Sequence, residues 1–505
     1  MDPRLAADLD DLPQLLEAVR RRTAALARDV PGRAVLPAVP TAPTAPTALT
    51  GSAGSAGSAG SAGSAGSAGS AGSVGSAVPV GEPAPPPERG SGLHGALEEF
   101  TARWEPAFSS STGPRYLGFV TGGTTPAALA GDWLAAAWDQ NPMNSLDPGG
   151  PRLERETLSW LRALFGLTDA HHGVFVSGAT MSNTTGLAVA REWLGERAGV
   201  CVAEDGAAAL GPVRVLSGAA HSSVAKALSL LGLGRGALVR VETLPGREAV
   251  DPAALESALR EAEEAGAGCV VVANLGTVDT ADFDELRALL ALRERYRFWL
   301  HADAAFGAFA ALSPRHAHLV TGGGGLDAAD SVCVDLHKWL NVPYDSAVLF
   351  TRRPDLQAAV FRNAAAYLGP LGENPDGVHL TPENSRRLRA LAAWFTLRAY
   401  GREGHREIVE RCVACAHRLG AAVEALPGLR LLAPVRLNVV CFTLARDATG
   451  ERLARLAEAL ADEVFLTPTV HAGTPALRAA FSNWRTTEAD ADRVAAALAH
   501  ALHSL

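Results

Sequence analysis

Seven short apolar runs, separated by stretches of helical pattern, constrain the fold of this 505-residue chain more than any other feature. They are "GVFVS" (173–177), "VRVLS" (213–217), "LVRVE" (238–242), "CVVVAN" (269–274), "RFWLHAD" (297–303), "SVCVD" (331–335) and "AVLFT" (347–351). Several are continuously apolar rather than alternating, as a strand must be when both its faces are buried. Strands of that kind need helices on each side, and the intervening stretches supply them. The sequence therefore predicts an α/β fold with a mostly parallel central sheet. From residue 384 the pattern becomes one long helix (about 385–420), two short strands and a terminal helix, which reads as a smaller C-terminal α+β domain. Ligands of such sheets collect beyond the carboxyl ends of the strands, so the residues following each run are the first candidates for chemistry.

Ahead of this lie two simpler segments. Residues 1–34 hold an amphipathic helix, with Leu5, Leu9, Leu12, Leu15, Leu16 and Val19 at helical spacing. Residues 35–91 are Pro-rich and then run in Gly-Ser-Ala triplets. Such residues bury too little apolar area to offset ordering entropy, so a disordered linker is expected, spanning about 40 Å on average. The large domain follows over 92–383 and the small one over 384–505. A net charge of −9 argues against nucleic acid or an anionic membrane as partner. The N-terminus lacks a basic-then-apolar signal pattern, and a cytoplasmic enzyme is the expectation. One CxxC (Cys412, Cys415) sits in a helical pattern without a second pair at ligand spacing, so no metal is expected.

The chain has only two lysines, Lys226 and Lys338, among 45 basic residues. Arginine cannot be deprotonated, whereas a desolvated lysine can act as a neutral amine nucleophile. Lys338 follows the run "SVCVD" and stands beside His337 at a strand end, where a nucleophile would be useful; a leftover surface lysine is the plain alternative. Asp303 ends "RFWLHAD" and is followed by Ala304 and Ala305, small enough for a flat ring to approach the acid. A helix N-cap is the plain alternative. Ala179 and Thr180 open a helix after "VFVSG", where free N–H groups make a phosphate seat. His221 lies between a strand and a helix, placed to stack on an aromatic ring or simply to cap the helix. A phosphate seat, a stacking ring, an acid for a pyridine nitrogen and an amine together describe pyridoxal 5'-phosphate.

The chain from about residue 92 onward also resembles the group II pyridoxal-dependent amino-acid decarboxylases, of aromatic-L-amino-acid and glutamate decarboxylase type. The resemblance rests on "SGATMSN", "AAHSSVAKAL", "WLHADAAFG", "DLHKWLNVPYDS", "AAYLG", "NSRRLRALAAW" and "LRAAFSNWRTTE". It implies the fold type I architecture of pyridoxal-phosphate enzymes and a homodimer. It further implies that Lys338 carries the cofactor, that Ala179, Thr180 and His337 bind its phosphate, and that Asp303 meets the pyridine nitrogen. His221 would stack on one face of the ring and Ala305 pack on the other. Thr277 would lie near the ring hydroxyl, although Val278 and Ala281 replace the residues usual in that segment. Phe119, Val120 and Thr121 would form a substrate wall, and Arg478 matches an arginine of the small domain.

The same resemblance implies decarboxylation of an L-amino acid to the amine and CO₂. Tyr367 matches a loop tyrosine placed to protonate Cα, and its Gly/Pro-rich surroundings suit a movable lid. A buried aromatic at a helix end is the plainer reading of Tyr367. Phe119 and Val120 mildly favour an aromatic or apolar side chain. Another pyridoxal-phosphate lyase, an aldehyde-forming oxidative decarboxylase, or a non-catalytic scaffold on this fold are the alternatives.

Overall fold

The computed structural model describes residues 1–37, 87–144, 148–363 and 375–503. Most of the linker expected over 35–91, and Tyr367, lie outside the described residues.

All seven apolar runs are strands: β1 (His172–Val176), β2 (Val213–Ser217), β3 (Leu238–Arg240), β4 (Gly268–Asn274), β5 (Trp299–Asp303), β6 (Ser331–Asp335) and β7 (Ala347–Thr351). They form one sheet in the order β1-β7-β6-β5-β4-β2-β3. Only β7 runs against the rest, since β1 and β6 both pair with it antiparallel while the other neighbours pair in parallel. Every residue of β5, β6 and β7 is buried, which accounts for their continuous apolar character. Six strands therefore deliver their carboxyl ends to one edge of the sheet.

The C-terminal region holds the long helix Ala390–Ala425, broken at Gly401, whose φ of 59° only glycine adopts without Cβ strain. Beside it lies an antiparallel sheet in the order β10-β11-β9-β8, formed by β8 (Leu429–Leu431), β9 (Val439–Leu444), β10 (Thr467–His471) and β11 (Thr474–Ala480). The sequence reading expected two strands here. The sheet has four: β8 is only three residues long, and β10, "TPTVH", is a half-exposed edge strand containing a proline, so neither makes a clear local pattern.

The N-terminal helical region (Pro3–Asp10 and Leu12–Asp29) docks on its own chain. Asp8 accepts from the Leu93 N–H at 3.0 Å, Arg22 pairs with Glu105, and Arg485 donates to the Ala27 carbonyl at 3.0 Å. Val35 is buried, its N–H donating to Asp462 O at 3.2 Å. Leu5, Leu9, Leu12 and Leu16 stay exposed on the single chain. Among the described residues no helix is long and apolar enough to cross a membrane.

Candidate active site

The lysine segment leaves β6 in a short helical turn, Leu336–Trp339, anchored by buried Leu336 and Trp339. Lys338 points away from bulk solvent, with a side chain 21% exposed and Nζ 3.7 Å from Asp335 Oδ2. Its ammonium lies 5.7 Å from the Phe306 ring centroid. Lys226, by contrast, is exposed on the helix Ser222–Leu230. His337 Nδ1 sits 3.0 Å from Asp335 Oδ1, and its ring packs 4.4 Å from that of Tyr344.

The expected phosphate seat forms around the same turn. The helix Ala179–Ala198 begins after Gly178 without a side-chain cap, so its first N–H groups are available to an anion. His337 faces that start: a Cβ on Gly178 would sit 3.4 Å from His337 Cε1. The Ala179 N–H reaches Asp335 Oδ2 at 3.4 Å. Ala179, Thr180 and His337 are thus brought together.

The expected substrate wall lies over the lysine turn. Gly122 approaches so closely that a Cβ there would come within 1.6 Å of Lys338 O, so only glycine fits. Thr121 Oγ1 is 3.3 Å from the Tyr344 hydroxyl, and Val120 is buried. Phe119 is exposed, with its ring 5.8 Å from Phe465, which in turn packs 4.8 Å from Tyr116. Arg115 is committed elsewhere, to Asp490 at 3.1 Å and to the carbonyls of Glu463 and Pro31.

Asp303 ends β5 and is nearly buried. Its Oδ2 accepts from Asn183 Nδ2 at 2.9 Å and its Oδ1 from the Ala305 N–H at 3.3 Å. Ala305 in turn accepts from the Asp335 N–H at 2.8 Å, tying the ends of β5 and β6 together. His221 opens the helix Ser222–Leu230, and its Nδ1 accepts from the Ser223 N–H at 3.2 Å. His221 is exposed on the single chain, yet it lies low enough among neighbouring groups for desolvation to lower its pKa. The charges of Lys338 and Arg478 lower it further, and those of Asp303 and Asp335 oppose the shift. The imidazole thus has both acids and both cations for neighbours.

Thr277 follows β4, and its hydroxyl donates to Glu248 Oε2 at 2.5 Å. Ala281, one of the two residues that depart from the resemblance in this segment, adopts φ of 49°, a conformation that favours glycine. Glu248, Asp279 and His471 bring their ligand atoms within 4.8 Å of one another. The group is satisfied internally: Thr280 also donates to Glu248 at 2.6 Å, Thr469 donates to Asp279 at 2.7 Å, and His471 faces Glu248 at 3.7 Å. Desolvation would raise the Glu248 pKa, but hydrogen bonds from His471, Thr277 and Thr280 bring it below the ordinary range. Arg478, buried on β11, donates to the Val278 carbonyl and pins this segment from the small domain. The thiols of Cys412 and Cys415 are buried and pushed up to about 12 and about 11, unsuited to redox work.

Sequence reasoning did not single out Asn183, Ser223, Asp335, Tyr344 or Glu248. The first four stand inside or beside stretches it did mark, but nothing in their spacing shows which of them turn inward. Glu248 carries no local signal, because it meets Thr277 only through the fold.

The donor set fits pyridoxal phosphate: an uncapped helix start for an anion, a half-sheltered amine, a carboxylate at a strand end and an imidazole among them. A family model for the pyridoxal-dependent decarboxylase conserved domain matches residues 87–445. Among curated proteins, an aromatic-L-amino-acid decarboxylase of Bacillus atrophaeus is 29% identical over 335 residues, covering 65% of this chain and 67% of the relative. An L-2,4-diaminobutyrate decarboxylase of Rhizobium meliloti (strain 1021) is 30% identical over 389 residues, covering 73% of this chain and 72% of the relative. A crystal structure of Oryza sativa TDC with PLP and tryptamine superposes with a TM-score of 0.83 at 22% identity, over 98% of both chains. The fold is the fold type I architecture of pyridoxal-phosphate enzymes. The chain belongs to the pyridoxal-dependent decarboxylase family, a family of carboxy-lyases, and its cofactor is pyridoxal phosphate.

Proposed function

We propose that this chain decarboxylates an L-amino acid with an aromatic or other apolar side chain, releasing the amine and CO₂. The observation that carries the site assignment is geometric: Lys338 lies 3.7 Å from Asp335, and Asp303 is joined to His221 through Asn183 and Ser223 at the carboxyl edge of the sheet. Pyridoxal phosphate, when bound, supplies an electron sink for the pair left at Cα. In this reading Lys338 would carry the cofactor, and Ala179, Thr180 and His337 would hold its phosphate. Asp303 would serve the pyridine nitrogen, with His221 and Ala305 flanking the ring. Thr277, its proton committed to Glu248, would offer its oxygen to the ring hydroxyl. Tyr367 would supply the proton to Cα.

The relatives' names divide between aromatic amino acids and L-2,4-diaminobutyrate. The rings of Tyr116, Phe119 and Phe465 beside the wall favour the aromatic class. The acids that would attract a side-chain amine, Glu248 and Asp279, are already engaged by Thr277, Thr280, Thr469 and His471. A homodimer accords with the exposed row of Leu5, Leu9, Leu12 and Leu16. The test is a screen of the common L-amino acids for amine release with added pyridoxal phosphate. Aromatic substrates should lead; preferred turnover of a diamino or dicarboxylic acid would refute the substrate assignment.

A further inference from the structure

A line of polar contacts runs beneath the site, and chemistry dictates the direction of each bond. Trp299 Nε1–H can only donate, and it donates to Ser331 Oγ at 2.9 Å. Ser331 lies 2.7 Å from His301 Nδ1, and His301 Nε2 lies 2.9 Å from Asn183 Oδ1. At the other end Asp303 as a carboxylate can only accept, so Asn183 must turn its amide nitrogen toward Asp303 and its oxygen toward His301. His301 then donates from Nε2 and accepts at Nδ1 from Ser331. That is the neutral ring expected of a histidine whose pKa burial lowers to about 4. The second amide proton of Asn183 goes to Ser223 Oγ at 2.9 Å. Ser223 Oγ lies 2.7 Å from His221 Nδ1, which also accepts the Ser223 N–H. Nδ1 is therefore an acceptor and the ring proton sits on Nε2. Trp299, Ser331, His301, Asn183 and Ser223 are all buried.

We propose that Asn183 is a positioning residue at the branch of this one-way hydrogen-bond chain, orienting Asp303 with one amide proton and, through Ser223, fixing His221 as the neutral Nε2–H imidazole with the other. The proposal rests on the cofactor roles assigned above to Asp303 and His221. It adds that the two groups share one anchor. A bond donated into the Nδ1 lone pair favours the neutral ring, so its loss raises the histidine pKa. The charged groups facing His221 are Asp303, Asp335, Lys338 and Arg478; removing Ser223 touches none of them, and removing Asn183 takes one hydrogen bond from Asp303.

The test uses full-length protein free of cofactor, with ¹⁵N-labelled histidine and the His221 signals assigned by their absence in His221→Gln. The parent should show the Nε2–H form and titrate below the ordinary value. Asn183→Ala and Ser223→Ala should each raise the His221 midpoint by about 0.5 to 1 pH unit. Only Asn183→Ala also removes a bond to Asp303, so its cofactor dissociation constant should rise about 10-fold and that of Ser223→Ala much less. An unchanged His221 midpoint in both variants, even with a lowered melting temperature, would reduce Asn183 to packing and overturn the proposal. Equal cofactor retention in Asn183→Ala and the parent would overturn the Asp303 branch. If Asn183→Ala does not fold, Ser223→Ala decides the His221 branch. Because the titration needs neither cofactor nor substrate, its outcome is independent of whether the chain proves to be a decarboxylase.

Discussion

The seven-stranded and four-stranded sheets differ in how their strand ends are distributed, and the candidate site gathers at only one of them. In the large sheet six strands run the same way, so their carboxyl ends open on one edge. Asp303, the Lys338 turn, His221, Thr277 and the helix start at Ala179 all follow such ends. In the small sheet every neighbour is antiparallel, so successive strand ends alternate between edges. It sends Arg478 across to Val278, Thr469 to Asp279 and His471 toward Glu248, while Asn438 bonds within the small domain. Parallel strands bring their carboxyl ends to one edge, where the candidate site lies, and the antiparallel sheet braces that region from the small domain.

The contrast breaks most visibly at the lysines. Lys338→Ala should abolish amine release while retaining the far-ultraviolet circular dichroism of the parent. Lys226→Arg, on an exposed helix face, should stay within about twofold of parent turnover. Tyr367→Phe comes next: losing a positioned proton donor should lower amine formation by about 10²- to 10⁴-fold, with aldehyde and ammonia appearing in aerobic assays. Unchanged turnover would remove Tyr367 from the role of acid.

Smaller effects sharpen the other half of the comparison. Asn438 donates to the Phe481 carbonyl at 2.9 Å inside the small sheet. Asn438→Ala should cost about 1–3 kcal/mol of stability in denaturant titrations and leave kcat/KM near the parent value. A large loss of activity without loss of stability would show the small sheet acting on chemistry directly.

Acid should also loosen the large domain. Burial holds His301 near a pKa of about 4, below its ordinary 6.5. The unfolded chain therefore takes up a proton that the folded chain refuses. Stability is complete above pH 6.5 and falls as the pH drops toward 4, at about 1.4 kcal/mol per pH unit for one such group. His405 in the long helix is held near about 4 by the same cause and adds to the slope. Urea unfolding at stepped pH measures this, and a flat profile between pH 7 and 4 would contradict neutral burial of both rings.

Much of this molecule was legible without coordinates. The seven strands were readable because strands buried on both faces have no polar alternation to disguise them. Lys338 was readable because the chain is nearly free of lysine, and Asp303 because small residues follow it. What stayed hidden depends on contacts across the fold. Asn183 serves Asp303 from 120 positions away, and Glu248 accepts from Thr277 across 29. A side chain acting on another element leaves no local pattern. The strand count of the small sheet, four against the two expected, differs for another reason: a three-residue strand and a half-exposed strand with a proline resemble loops.

The central claim is that one amine at the carboxyl edge of the parallel sheet carries the cofactor. Reduction of the pyridoxal-phosphate-loaded protein with borohydride, followed by peptide mass mapping, tests it most directly. The account predicts a single modified peptide containing "DLHKWLN", with the cofactor mass on Lys338. Recovery of the label on Lys226, in "HSSVAKAL", would contradict it.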